Sequence, residues 1–356
     1  EQETDAQFRD LLSLLAQADL LRYAVARPDA PPDLRSLCIV REELAYASTL
    51  ADLAFVMQGL GTYAINEAAP PHVRDFWLAK AAAGKAVAAF ALTEPEAGSD
   101  MANLQTTARR EGDSYVIDGT KRFISNAGVA DFYTVFARTG TRADGHAEIS
   151  AFVVGARLPG FRVTERIELI APHPIGEIEF SALRVPIEER LGGEGAGYRL
   201  AIQTLGFFRA SVGAAACGMA RRALDEALTY AKGRTQFGLP LARHQLIQEK
   251  LAEMSTQLDA ARLLVYRAAH LRDLSRTEEG ASISAAMLTR TASEAKLYAT
   301  EAAGRIIDDA VQIHGGAGLV RGSTVERLYR DIRALRIYEG TSEIQKLVIA
   351  RELLRE

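Results

Sequence analysis

Cysteine is scarce: two occur in 356 residues, Cys38 and Cys217, far apart and outside any CxxC or Cys/His ligand spacing. That excludes a disulfide framework and a structural zinc site, and it suits a reducing compartment. An excess of one charge is also lacking. With 42 basic and 46 acidic residues the net charge is -4, so nothing electrostatic favours nucleic acid or an anionic membrane as the main partner. No run of roughly 18 consecutive apolar residues occurs, and the acidic, polar start EQETDAQFRD has none of the marks of a targeting peptide. The expectation is a chain with no nucleic-acid and no membrane partner. It would be cytoplasmic in a bacterium, or in the mitochondrial matrix if the source is a eukaryote and a leader has been removed.

Several catalytic signatures are missing as well. A nicotinamide-binding chain carries GxGxxG at a strand-to-helix turn, with an acidic residue about 20 positions later. The glycines that come nearest, Gly192 to Gly197 in GGEGAG, follow a polar turn and read as a flexible lead into a helix. No Walker sequence and no GxSxG occurs. His72, His146, His173, His244, His270 and His314 form no HxxxH or HExxH pair, which argues against metal-hydrolase and serine-hydrolase chemistry and leaves no metal ligands to expect. Arg327, Arg330, Arg333 and Arg336 recur every third residue in RLYRDIRALR. They form either an anion patch or, needing no ligand, one solvated or salt-bridged helix face.

What is present is ordinary globular composition, 48% hydrophobic and 25% charged, in a chain long enough for two or three domains. From Phe8 to about Ala86 the apolar residues fall at helical spacing, with Pro and Gly at the junctions. From about Val87 to Leu191 the pattern changes to short β-branched and aromatic runs such as SYVIDGTKRFI and EISAFVVGA, separated by turn residues. After LGGEGAG the helical period returns, with Ile247, Leu251, Met254, Leu258 and Val265 on one face. The order helical, antiparallel β, helical predicts an α+β fold divided at 1–86, 87–194 and 195–356, and it excludes the strand–helix alternation of a doubly wound sheet. No internal repeat interrupts it.

Three loops combine small residues with hydroxyl or amide groups: ALTEPEAGSD (91 to 100), RFISNAG (122 to 128) and QIHGGAG (312 to 318). Such loops let backbone N–H groups come close to a polar cofactor. Taken in order with RTQFGLPLARHQ (234 to 245) and RIYEGTSEIQ (336 to 345), they resemble the acyl-CoA dehydrogenase family of flavoproteins over essentially the whole chain. The resemblance implies a β-barrel-like middle domain, a C-terminal four-helix bundle, and FAD. By that likeness Phe90, Leu92 and Thr93 line the flavin ring, Ser99 lies between cofactor and acyl thioester, and Phe123 and Ser125 form the other wall. Arg234, Phe237, Gln245, Gln312, Gly315 and Gly316 match positions that reach the FAD of a neighbouring subunit. A homo-oligomer, dimer or homotetramer, is therefore expected.

Oxidation of an acyl thioester at its α and β carbons needs a base for a weakly acidic proton, and burial raises the basicity of a glutamate. In RIYEGTSEIQ, Ile337 and Tyr338 offer an apolar flank for Glu339, while Gly340 lets substrate approach the backbone. The resemblance makes Glu339 the catalytic base and places Thr341 and Glu343 against FAD. It also includes an alternative base position just before an arginine, which here is Phe208 before Arg209, and it puts Arg209 and Gly340 near substrate. Phe207 and Phe208 would either narrow the acyl pocket or pack the core.

The sequence departs from the family pattern at Glu96, where EPxAGSD usually carries Gly, and in APHPIGEIEF (171 to 180). The leading expectation is an acyl-CoA dehydrogenase that takes an acyl-CoA substrate and passes electrons to an electron-transfer flavoprotein. The alternatives are a relative acting on a carrier-protein thioester or performing oxygen or nitro chemistry, and a non-catalytic flavin-binding assembly protein.

Overall fold

The computed structural model describes residues 2–27, 33–142 and 145–355. Four helices come first: α1 Gln2–Gln17, α2 Leu34–Ala47, α3 Thr49–Ala68 and α4 Pro71–Ala82. Eight strands follow, β1 Ala88–Ala91, β2 Thr107–Glu111, β3 Ser114–Ser125, β4 Phe132–Thr141, β5 Ala147–Gly155, β6 Phe161–Arg166, β7 Ile175–Pro186 and β8 Arg190–Leu191. The remainder is α5 Gly197–Gly233, a hairpin of β9 Thr235–Gln236 and β10 Leu239–Pro240, α6 Gln245–Leu274, α7 Ala285–His314, α8 Thr324–Leu335 and α9 Ser342–Leu353. The helical, β, helical order is the one the periodicity predicts. Two compact units are formed. One is the chain up to position 32 with Leu53–Leu205, and the other is Asp33–Asp52 with the chain from Gly206 onward.

In the first unit the sheet runs β6-β7-β3-β2-β4-β5-β8, with β1 paired to β4. Most pairings are antiparallel, as expected, but β2 meets β4 in parallel at Thr107 opposite Arg138, and β1 lies parallel to β4, from Ala88 opposite Phe132 to Ala91 opposite Val135. A strand that is buried on all four residues has no solvent face, which is the condition parallel pairing favours. Helix α3 packs tightly onto β1, because a Cβ at Gly61 would stand 2.7 Å from that of Ala88. Thr134 Oγ1 donates to the Gly61 carbonyl at 2.7 Å. Strand β3 pairs with β7, and a register shift between Lys121 and Ile124 bends it at Phe123.

The second unit is helical. Its long helix α5 buries an almost unbroken series of small residues, including Ala214, Ala215, Ala216, Cys217 and Ala220, so neighbours can come close. At Gly218 a Cβ would stand 2.1 Å from the carbonyl oxygen of Glu42, so only glycine permits the contact with α2. Asp273, at the end of α6, accepts the first backbone N–H groups of α2, Leu34 at 2.7 Å and Arg35 at 3.0 Å, an N-cap supplied from a distant element. Helix α5 is long and apolar enough to cross a bilayer, yet 78% of its most apolar window is buried within the protein, the mark of a core helix. Cys38 and Cys217 are free and buried, and burial pushes both thiols well above their usual range.

Candidate active site

The expected site residues fall in both units. In the first, β1 delivers Phe90, the residues just after it are Leu92 and Thr93, and β3 delivers Phe123 and Ser125. The two segments are tied together by Arg122 N–H donating to the Thr93 carbonyl at 2.9 Å and by Lys121 Nζ donating to the Leu92 carbonyl at 3.1 Å. Asn126 Nδ2 also donates to the Ala88 carbonyl at 2.9 Å. Lys121 is fully buried and pairs with Glu94 Oε1 at 2.7 Å, while the Glu94 carboxylate accepts from the Gln105 and Thr106 amides at 2.6 and 3.0 Å. Burial pushes Lys121 down to about 8. Burial alone would raise Glu94, but the ammonium and the amides bring it below its ordinary value, so both groups are charged at neutral pH.

Phe90 and Leu92 are buried, whereas Phe123 is 52% exposed with a left-handed backbone at φ 56°. Holding a bulky side chain there costs energy that neighbouring structure must supply. Ser125 meets His173 Nε2 at 2.8 Å, and burial pushes that imidazole down to about 4, so it is neutral at physiological pH. Thr93 is partly buried, and Ser99 lies exposed in the loop after Ala97.

In the second unit six expected residues gather at one end of the helices. Arg234 follows α5, Phe237 tips the β9–β10 hairpin, Gln245 opens α6, and Gln312, Gly315 and Gly316 close α7. Tyr230 stacks on His314 with centroids 4.3 Å apart, which joins the ends of α5 and α7. Phe237 approaches His244, next to Gln245, at 6.1 Å. Phe237 is left-handed at φ 51° and 97% exposed. Arg234, Gln245, Gln312, Gly315 and Gly316 are exposed too, and at both glycines an added Cβ would meet open space.

Glu339 occupies the turn between α8 and α9 and is left-handed, φ 53°, ahead of Gly340 at φ 89°. Among the described residues six non-glycine residues have positive φ, three of them expected site residues, and backbone strain of this kind concentrates where function requires it. Helix α7 anchors the turn on two side chains. Lys296 Nζ donates to the Tyr338 carbonyl at 2.7 Å and to the Gly340 carbonyl. Glu301 accepts from Arg336 Nε at 2.9 Å and from Ser342 Oγ at 2.6 Å. Gln345 Nε2 donates to the Gly340 carbonyl at 2.9 Å, and Thr341 Oγ1 caps α9 by accepting from the Ile344 amide at 3.3 Å. Glu343 is exposed in the first turn of α9.

Burial pushes the Glu339 carboxyl above its ordinary value, although Arg41, Lys296 and Arg209 all pull the other way. Its Oε2 is fully buried with no hydrogen-bond partner among the described residues, an arrangement whose cost a ligand can remove. Arg41 is fully buried and bound through two bonds to Asp52, at 2.8 and 2.7 Å, and to Ser211 at 2.9 Å. The apolar flank differs from expectation: Tyr338 is sheltered beside Arg41, but Ile337 is 53% exposed. Burial is thus what raises the carboxyl, against the opposing pull of the buried cations Arg41, Lys296 and Arg209.

Phe207 and Phe208 are fully buried with ring centroids 5.2 Å apart, and Phe208 can offer no carboxylate. Arg209 is 8% exposed, bonds Ser293 Oγ at 3.3 Å, and leaves its buried Nε without a partner among the described residues. The arginine series along α8 is a helix face: Arg330 pairs with Glu326 at 2.6 Å, and Arg327 and Arg333 are exposed.

Lys121, Glu94, Lys296, Gln345, Arg41 and Asp52 escape the sequence reading. A signal exists for Lys296, which interrupts the apolar stripe Ala292, Ala299, Ala303 of α7, and for Arg41 between Leu37 and Ala45 on α2. A cation on a buried stripe marks an unusual position, but spacing does not reveal its partner.

An exposed left-handed aromatic on β3 in the first unit, and open glycines after α7 with a desolvated carboxylate in the second, are carried on an α+β scaffold. Residues 89–183 match the acyl-CoA dehydrogenase middle domain and residues 195–354 the acyl-CoA dehydrogenase C-terminal domain. The cyclohexane-1-carbonyl-CoA dehydrogenase of Geobacter metallireducens is 37% identical over 90% of this chain and 82% of its own length. Among solved structures, butyryl-CoA dehydrogenase from Megasphaera elsdenii superposes with a TM-score of 0.88 at 34% identity, over 98% of this chain and 89% of that one. An acyl-CoA dehydrogenase complexed with FAD from Bacillus anthracis gives 0.91 at 32% identity, over 99% of this chain and 63% of that one. The chain belongs to the acyl-CoA dehydrogenase family.

Proposed function

We propose that this protein is an FAD-dependent acyl-CoA dehydrogenase that converts an acyl-CoA to its trans-2-enoyl-CoA, with Glu339 removing the α-proton. The observation that carries the reading is the Glu339 turn. It holds a carboxylate whose Oε2 is buried without any protein partner among the described residues and whose proton affinity is raised by desolvation. When bound, FAD supplies the acceptor for the two electrons that leave with the β-hydrogen. The side chains fit such a group: Phe123 offers an exposed aromatic face, and Thr93 and Ser125 offer hydroxyls on adjoining segments. Phe90 and Leu92 back that face, and Ser99 contacts the acyl thioester.

Glu339 accepts the α-proton on a carboxylate oxygen. Arg209 and Gly340 face substrate, and the backbone N–H of Glu339 polarises the thioester carbonyl. Thr341 and Glu343 contact the cofactor beside it. Arg234, Phe237, Gln245, Gln312, Gly315 and Gly316 reach the FAD of a second copy in a homodimer or homotetramer, a reading supported by the 97% exposure of Phe237. An electron-transfer flavoprotein reoxidises the enzyme.

Purified protein tests the reading: it is expected to be yellow and to bleach anaerobically with at least one of butyryl-CoA and cyclohexane-1-carbonyl-CoA. A colourless preparation that takes up no FAD would refute it.

A further inference from the structure

Lys296 is 1% exposed, and a buried ammonium is costly unless its surroundings require it. Its hydrogen-bond acceptors are unusual in position. They are the carbonyls of Tyr338 and Gly340, the two residues that bracket Glu339. One cation therefore pins both sides of a left-handed glutamate, a conformation that disfavours itself, and places positive charge beside its carboxylate. We infer that Lys296 is the positioning residue of the base: it fixes the Glu339 turn and, by its charge, holds the carboxylate ready to accept a proton.

This rests on the assignment of Glu339 as base, but the coupling can be read independently of it. The charged groups facing Lys296 are Glu339 in the turn, Arg209 on α5, and Glu301 on α7 itself, while Arg41 and Asp52 act on Glu339 from α2 and the start of α3. Arg209 and Arg41 would remain in any Lys296 variant. The loss of one neighbouring cation within such a group raises a carboxyl midpoint by about one unit or more, whereas a purely structural clamp would leave the midpoint where it is.

The experiment is an infrared titration of the Glu339 carboxylic-acid band in the FAD-loaded protein, the band being assigned by its loss in Glu339→Gln. Lys296→Met and Lys296→Gln are expected to raise the midpoint by about one unit or more, lowering anaerobic flavin reduction by butyryl-CoA about tenfold at a pH below the shifted midpoint. Lys296→Arg, which keeps the charge, should restore the midpoint to within a few tenths of a unit. Lys296→Gln serves if the Met variant does not fold. Unmoved midpoints in the neutral variants would overturn the proposal, and so would failure of both to fold while Lys296→Arg folds, since that would mark a role in folding alone. Rapid flavin reduction by Glu339→Gln would instead sink the base assignment and leave the coupling intact.

Discussion

Glu339 sits at φ 53° when any glycine could adopt that conformation more easily, so its side chain, not its backbone, is what the turn preserves. With the carboxyl raised by burial, the enzyme should lose flavin reduction as pH falls through that elevated midpoint, because the protonated acid cannot take a second proton. Stopped-flow reduction across pH would show the acidic limb above the ordinary carboxylate range, and a limb at the ordinary value would contradict the burial argument. The candidate base was legible in the sequence because the motif RIYEGTSEIQ is local. Its surroundings were not: Arg41, Lys296 and Arg209 come from three separate helices, and Ile337, the expected apolar neighbour, faces outward. Local spacing reports a turn, but only tertiary packing decides which charges surround it.

Whole elements were more readily read than their partners. Helical and β segments appear in order because periods of 3.6 and 2 survive in the sequence, but AAFA has no alternation, and its parallel pairing with β4 could not be deduced. The segment from Phe90 to Thr93 is secured by the buried Lys121–Glu94 pair. Lys121→Met should therefore leave the buried Glu94 charge without its cation, held only by the Gln105 and Thr106 amides, costing about 3–5 kcal/mol of stability. Urea denaturation would measure it, and flavin retention should fall in parallel. A loss below about 1 kcal/mol would mean that the pair is not what holds β1 to β3. Because both groups are charged at neutral pH, the pair's contribution is present there and is lost in acid as Glu94 takes up its proton.

For the whole molecule, the proposed intersubunit role of the cluster at the end of α5, α6 and α7 would tie assembly to cofactor binding. Phe237 at 97%, Leu246 at 78% and Leu319 at 75% exposure lie on the segments that follow α5, open α6 and follow α7. Phe237→Ser is expected to shift the oligomer toward smaller species in sedimentation velocity, and Arg234→Ala to weaken FAD retention on dilution. Unchanged assembly and a fully loaded cofactor in both variants would remove these residues from any intersubunit role.

Single-turnover flavin reduction in Glu339→Gln, loaded with FAD and mixed anaerobically with the acyl-CoA that bleaches the unaltered protein, tests the role of Glu339 as base. FAD is expected to be retained and reduction slowed by about 10²–10⁴-fold, the contribution of a positioned general base. Reduction at the unaltered rate would contradict it.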